Sequence, residues 1–136
     1  MIILDEQLKH ANLEEQIVQW YRGRVINITA LRPGTVIKDD AVPLLLRQVT
    51  DPIFVTINTT DFWEQIGTGR EYCIICFPLT DDRVGEISEL LRRLLRLPEF
   101  RTKQTRRGKV ARVSQRQIQY YAHPSHEIHA LTWLTK

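Results

Sequence analysis

The chain has 136 residues, of which 43% are hydrophobic and 26% are charged. These values fit one globular domain with its own core and leave no room for two. No apolar run approaches the roughly 18 residues of a membrane span, and the N-terminus lacks the basic flank and long apolar core of a secretory signal. We therefore expect a cytoplasmic protein with no membrane partner.

Charge is unevenly distributed along the chain. Residues 1–100 contain 11 Lys and Arg against 15 Asp and Glu, whereas residues 101–136 contain 8 against 1. The modest net charge of +3 therefore hides an acidic body followed by a basic tail.

The first part of the chain predicts strands alternating with helices. The stretch MIILDEQL reads as a strand whose consecutive apolar residues suit burial on both faces. A helix over ANLEEQIVQWYRG follows, capped by Asn12 and ended near Gly23. After a second strand, RVINI, the run DDAVPLLLRQV predicts a helix that Asp39 or Asp40 caps. The third strand is PIFVTIN.

The later elements complete the predicted fold. YCIICFPL is a fourth strand, and DDRVGEISELLRRLLRL is an amphipathic helix. Beyond Pro98, the runs KVARVSQ, QIQYYAH and EIHALTWL alternate apolar with polar residues, as antiparallel strands do. We predict an α/β fold with a mainly parallel sheet flanked by helices, over residues 1–97. Residues 98–136 would form a basic, antiparallel β extension packed on the same domain.

Cysteines and histidines invite a redox or zinc interpretation, which strand geometry disfavours. Cys73 and Cys76 lie in a β-rich run, where residues three apart point to opposite faces. We interpret them as small buried hydrophobic residues. The spacing of His123, His126 and His129 suggests zinc, but the same geometry separates His126 from His129.

Acidic residues follow two of the predicted parallel strands. Asp5 and Glu6 end the first strand, and Asn58 and Asp61 follow the third. Asp39 and Asp40 begin the helix that leads into the third strand. Because ligands bind beyond the carboxyl ends of parallel strands, we expect these three groups to converge on one edge of the sheet.

Clustered carboxylates repel one another unless a cation lies among them. Hard oxygen ligands favour Mg²⁺ or Mn²⁺, ions that also bind substrate phosphates. Such an ion would activate water and neutralise charge on a phosphate, so the chemistry would be phosphodiester hydrolysis. Taken singly, however, Asp39, Asp40 and Asp61 are also typical helix caps, and Glu6 is a typical solvated loop residue.

Four segments precede the amphipathic helix in this order: ILDEQL, KDDAVPLLLRQ, PIFVTINTTDFW and YCIICFPL. This arrangement resembles the PIN-like nuclease domains of the short bacterial type. That family is associated with toxin ribonucleases. The resemblance covers residues 2 to about 97. The run GKVARVSQRQIQYY also resembles an extension that some family members carry. The family threonine corresponds to Thr56, and Phe62 follows the last acid of the pattern.

The resemblance implies a set of site residues. The catalytic residues it implies are Asp5, Glu6, Asp39 and Asp61. The ligands it implies for Mg²⁺ or Mn²⁺ are Asp5, Asp39, Asp40, Asn58 and Asp61. This chain departs from the family at Asn58, where an acid is usual, and NTTDF is one residue longer than the usual spacing. An amide oxygen can bind a metal but adds no negative charge, so the departure weakens the expected metal affinity.

A basic segment without acids follows the predicted amphipathic helix. It contains Arg101, Lys103, Arg106, Arg107, Lys109, Arg112 and Arg116, and Tyr120 and Tyr121 close it. Such residues bind phosphates and stack on unpaired bases, so the segment would hold single-stranded RNA against the acids. Alternatively, it is a solvated strand edge whose charges prevent aggregation, or a patch that docks on a second copy.

Together these features predict a metal-dependent endoribonuclease, the toxin of a toxin–antitoxin pair, with RNA as substrate and an antitoxin protein as partner. The alternative is a catalytically silent PIN-like module that binds RNA or protein, which Asn58 favours. The appended strands favour a homodimer, since open sheets often bury an edge by pairing.

Overall fold

A computed structural model describes residues 1–9, 12–66 and 71–133, and a seven-stranded sheet runs through these residues. The strands are β1 (Ile2–Leu4), β2 (Val25–Asn27), β3 (Ile53–Thr56), β4 (Cys73–Cys76), β5 (Lys109–Val113), β6 (Gln117–Ala122) and β7 (His129–Thr132). Their order across the sheet is β2-β1-β3-β4-β5-β6-β7. The first five strands are parallel, and β6 and β7 are antiparallel.

Short helices connect the strands. They are α1 (Leu13–Val18), α2 (Val42–Leu46), α3 (Ile87–Leu94) and α4 (Lys103–Arg106), with a π-helix over Thr60–Ile66. Turns of 3-10 helix span Glu6–Leu8, Ile28–Leu31, Asp39–Ala41 and Asp81–Glu86. None of the helices in the described part of the chain has the length and apolar character that crossing a bilayer requires.

The predicted α/β class is confirmed, with a mixed sheet that is mostly parallel and turns antiparallel at its C-terminal end. One pairing differs from the expectation for the extension. β5 pairs in parallel with β4, because α3 and α4 carry the chain back across the sheet before β5 begins. Only β6 and β7 are antiparallel to their neighbours. The division of the chain at residues 97 and 98 stays a prediction.

Both faces of the sheet are covered, as the continuous apolar strands predict. In β4, Cys73 and Ile75 pack on the face that carries α1 and α3, whereas Ile74 and Cys76 pack on the face that carries α2 and the π-helix. All four side chains are buried. Because both faces of the sheet are buried, polar side chains gather at the ends of the strands.

Two of the predicted helix caps are wrong. Asn12 precedes α1 but makes no capping hydrogen bond, because its backbone is left-handed (φ 52°) and not extended as a capping residue requires. Helix α1 also ends at Val18, before Gly23. The capping position before Asp39–Ala41 belongs to Lys38, so Asp39 and Asp40 lie inside the turn and do not cap it.

The cysteines behave as the strand geometry predicts. Both thiols are free and buried, and they belong to opposite faces of β4. Burial raises the pKa of Cys73 to about 12 and also raises the pKa of Cys76. The histidines diverge too, since the ring of His126 lies against Tyr121 and that of His129 stacks on Tyr120.

We expect both thiols to be unreactive in the native protein. A thiol reagent at pH 7.5 should modify Cys73 and Cys76 more than about 100-fold more slowly than it modifies the urea-unfolded chain, because the thiolate is the reactive form and the fold excludes the reagent. Mass spectrometry over time checks this. Rapid modification of either cysteine in the folded protein would contradict the buried position.

Candidate metal and active site

The candidate site lies at the carboxyl edge of the parallel strands, between β1 and β3. The chain leaves β1 toward β2 on one side and returns to β3 on the other, which creates a crevice where ligands bind in open α/β sheets. Asp5 directly follows β1, and Asn58 and Asp61 follow β3. Asp39 reaches the same place from the turn before α2, through its hydrogen bond with Asn58.

Asp5 is held rigidly although it is almost fully buried. Its Oδ2 accepts a hydrogen bond of 2.5 Å from the Thr56 hydroxyl, and its Oδ1 accepts one of 2.7 Å from the Glu6 backbone amide. Thr56 is itself completely buried, and its hydroxyl oxygen accepts a hydrogen bond of 2.9 Å from the backbone N–H of Asn58. The Asn27 side chain donates to the Asp5 carbonyl oxygen at 3.0 Å. Asp5 is therefore fixed at its carboxylate by Thr56 and the Glu6 amide, and at its backbone by Asn27.

Asn58 joins the two other acids. Its Nδ2 donates to Asp39 Oδ2 at 2.9 Å and to Asp61 Oδ2 at 2.8 Å. The orientation of the amide is set by its Oδ1, which accepts a bond of 3.1 Å from the Asp61 backbone N–H. Both protons of the Asn58 amide are thus directed at carboxylates, and a neutral group holds the two acids together.

The pKa values of the two bridged acids move in opposite directions. Burial, a hydrogen bond with Asp61 and the charges of Asp5 and Asp61 raise the pKa of Asp39 to about 6. Hydrogen bonds from Asp39 and Asn58 lower the pKa of Asp61. The two acids therefore titrate at well-separated pH values, with Asp39 taking up a proton below about pH 6 while Asp61 stays ionised.

The pKa of Asp5 is raised above its ordinary value as well. Burial is the main cause, and the charges of Glu6 and Asp61 act in the same direction. The hydrogen bonds from Thr56 and from the Glu6 amide oppose the shift. Each acid of the group thus affects the pKa of at least one other.

The side chains of Glu6 and Asp40 take no part in the hydrogen bonds that join this group. Glu6 is half-buried at the start of the turn after β1, and Asp40 is exposed. Neither side chain forms a hydrogen bond or an ion pair with another described residue. The structure therefore distinguishes Asp39, which contacts Asn58, from its neighbour Asp40.

The donor set suits a hard cation, although it is not arranged as a finished metal site. Carboxylate oxygens of Asp5, Asp39 and Asp61, with the amide oxygen of Asn58, are the ligands that Mg²⁺ and Mn²⁺ prefer. Within residues 1–9, 12–66 and 71–133, no three His, Cys, Asp or Glu side chains form a ready group of metal ligands. The Asn58 amide lies between the carboxylates of Asp39 and Asp61, and its two N–H bonds donate to them where a bound cation would otherwise lie.

A cleft of about 300 Å³ opens between the ends of β1 and β2 and the start of α1. Its lining includes Leu4, Leu8, Leu13 and Asn27. The carboxylates of Asp5, Asp39 and Asp61 do not line this cleft, so it is separate from the acidic group.

The basic segment is divided between the two edges of the sheet. Lys103, Arg106 and Arg107 surround Pro52 and Tyr72, which precede β3 and β4, so they lie at the amino edge, opposite the acids. The interpretation that the whole segment faces the acidic site is therefore wrong for these three residues. The reason is that β5 begins after these residues and carries the chain from the amino edge to the carboxyl edge.

The other four residues of the segment lie in and around β5. Arg101 is exposed, and Lys109, at the start of β5, donates to the Glu99 carbonyl oxygen at 2.8 Å. Arg112 lies near the end of β5, and Arg116 is exposed in the turn that follows, so these two lie toward the carboxyl edge.

Some functional contacts were not predicted. Asn27 fixes the Asp5 backbone, and Trp63 carries the guanidinium of Arg112 on its ring. The position of Asn27 at the end of the second parallel strand was a usable signal, because it follows the same rule that located Asp5. No local pattern indicates the contact between Trp63 and Arg112, which are 49 residues apart.

Comparisons of the chain with protein-family models, with curated proteins and with solved structures find no match. The resemblance to PIN-like nucleases accordingly depends on the short motifs, and the geometry of the site has to be judged by itself.

We expect the raised pKa of Asp39 to make the stability of the fold depend on pH. The pKa of Asp39 rises from 3.8 in the unfolded chain to about 6 in the fold, so its stabilising contribution is complete below the unfolded value and is lost as pH rises through about 6. Without metal, the free energy of unfolding should fall by roughly 1 kcal/mol from this group between pH 5 and 7.5, allowing for its partial exposure. Urea unfolding in a chelator measures it.

Asp39→Asn should remove most of this pH dependence, whereas Asp81→Asn should retain it. Asp81 is a suitable control because it is an exposed acid at the carboxyl edge of neighbouring β4. An unchanged pH profile in Asp39→Asn would show that the pKa of Asp39 is not raised in the fold.

Proposed function

We propose that the protein is a metal-dependent endoribonuclease of PIN-like architecture that hydrolyses RNA phosphodiester bonds. One observation carries the proposal: Asp5, Asp39, Asn58 and Asp61, from three separate segments, form one hydrogen-bonded and electrostatically coupled group at the carboxyl edge. A stable fold rarely gathers acids in this way for packing alone, because their repulsion is costly.

The residues have distinct parts in this proposal. Asp5, Asp39 and Asp61 would hold Mg²⁺ or Mn²⁺ through carboxylate oxygens, and Asn58 would add its amide oxygen. When bound, the ion supplies positive charge that stabilises the phosphate and makes water a better nucleophile. Thr56 keeps Asp5 in one orientation through its buried hydroxyl. Glu6 is a carboxylate beside this group, so it is available to accept a proton from water.

The proposal names partners and a setting. The substrate is RNA, and the toxin role that accompanies this architecture requires an antitoxin protein in the same cytoplasm. A homodimer is supported by β7, which lies at one edge of the sheet with its side chains largely exposed. Edge strands of this kind pair readily with a second copy.

Asn58 supports a second candidate function, a catalytically silent module that binds RNA or protein. Its amide satisfies Asp39 and Asp61 without any cation. In this alternative the two hydrogen bonds from the Asn58 amide stabilise the acids, and the group has lost its need for metal. The two candidates differ in one property, which is cleavage.

RNA cleavage with added Mn²⁺ tests the proposal. The wild type should cut single-stranded RNA, and Asp39→Asn should lower the rate by about 100-fold or more, because a ligand of the ion is lost. Asp40→Asn is the matched control, since Asp40 is exposed and should leave the rate within about twofold. Gel analysis of labelled RNA gives the rates.

Equal rates for wild type and Asp39→Asn would refute the proposed site. RNA binding by the wild type without any Mn²⁺-dependent cleavage would instead establish the silent module. A loss of activity in Asp40→Asn as large as that in Asp39→Asn would contradict the distinction that the structure makes between these neighbours.

A further inference from the structure

The register of the sheet places one arginine in line with the acids. Thr56 in β3 pairs with Cys76 in β4, Cys76 pairs with Arg112 in β5, and Arg112 pairs with Gln119 in β6. These residues form one row across the sheet, and its first member holds the Asp5 carboxylate. Two strand spacings separate Thr56 from Arg112, which is about 10 Å.

Arg112 is fixed in place by neutral groups. Its guanidinium lies over the Trp63 ring, 5.0 Å from the ring centre, and its Nε donates to Gln119 Oε1 at 3.0 Å. Trp63 follows Asp61 by two residues in the π-helix, and the Tyr121 hydroxyl donates to its carbonyl oxygen at 2.7 Å. No described carboxylate pairs with Arg112, so its charge is available to an anion.

Two other basic residues of the segment, Arg106 and Arg107, have contacts at the amino edge. Arg107 forms an ion pair with Asp51 at the amino edge, with its Nε 2.8 Å from Asp51 Oδ1. Arg106 donates to the backbone carbonyl oxygens of Phe100 and Arg101, both at 3.2 Å. These contacts hold α4 and the loop before it, on the side of the sheet away from the acids.

We propose that Arg112 binds the backbone of single-stranded RNA, assisted by the exposed Arg116, and so directs the strand along the carboxyl edge toward Asp61. This inference rests on the proposed RNA substrate but not on cleavage. The separation of about 10 Å corresponds to roughly three stacked nucleotides at a spacing of about 3.4 Å. Because Trp63 and Gln119 already immobilise the guanidinium, binding a phosphate costs little further side-chain entropy. Lys103 and Arg107, at the opposite edge, take no part.

Binding of a twelve-nucleotide polyuridine RNA in a chelator, where no cleavage occurs, tests this proposal on the full chain. Arg112→Gln should weaken binding by about tenfold at low salt and reduce the slope of log K against log salt by about 0.7, the change for one phosphate contact on a single strand. Lys103→Gln removes the same charge at the amino edge and should change the affinity by less than about twofold. Fluorescence anisotropy at several salt concentrations gives both quantities.

Two further variants separate binding from folding. Arg112→Lys keeps the charge over Trp63 but loses the planar fork, so it should weaken binding while retaining most of the salt slope. Arg116→Gln changes an exposed turn residue and should weaken binding by about threefold without altering the melting temperature.

The outcomes are distinct. Equal losses in Arg112→Gln and Lys103→Gln would mean that only overall charge matters and would overturn the proposal, as would an absence of RNA binding by the wild type. Binding that depends on Arg112 in a protein that never cleaves RNA would support this inference while refuting the proposed nuclease activity.

Discussion

The contact that organises the carboxyl edge is the Asn58 amide between Asp39 and Asp61. It joins the segment after β3 to the turn before α2, and the neighbouring Thr56 hydroxyl joins β3 to Asp5 after β1. Through these bonds, acids from three places in the sequence occupy one small region. The arrangement tolerates the repulsion between Asp39 and Asp61 because the Asn58 amide donates a hydrogen bond to each of them.

The same contact explains why two functions are compatible with this geometry. If the carboxylates exchange the Asn58 amide for a divalent ion, they acquire the ligand set of a hydrolase. If they keep the amide, they form a stable polar cluster without chemistry. Asn58 is neutral, whereas an acid at that position would add one negative charge. The balance between the metal-bound state and the amide-bonded state depends on that missing charge.

Much of the fold and part of the site follow from the sequence. Continuous apolar strands indicated burial on both faces, and the rule for parallel strands located Asp5, Asn58 and Asp61 at one edge. The resemblance named Asp39 as catalytic and Asp40 only as a metal ligand, but the contact of Asp39 with Asn58 depends on how the 3-10 turn is oriented, which the sequence does not specify. The division of the basic segment was equally hidden. It arises because β5 is parallel to β4 and carries the chain from the amino edge to the carboxyl edge, separating Arg107 from Arg112.

The most direct test of this account is a calorimetric titration with Mn²⁺ at pH 7.5, using the wild type, Asn58→Asp and Asp39→Asn. The account predicts one ion per chain in the wild type and roughly tenfold tighter binding in Asn58→Asp, because an added carboxylate increases the charge of the ligand set. It predicts no binding in Asp39→Asn over the same range. An absence of heat in both the wild type and Asn58→Asp at millimolar Mn²⁺ would contradict it.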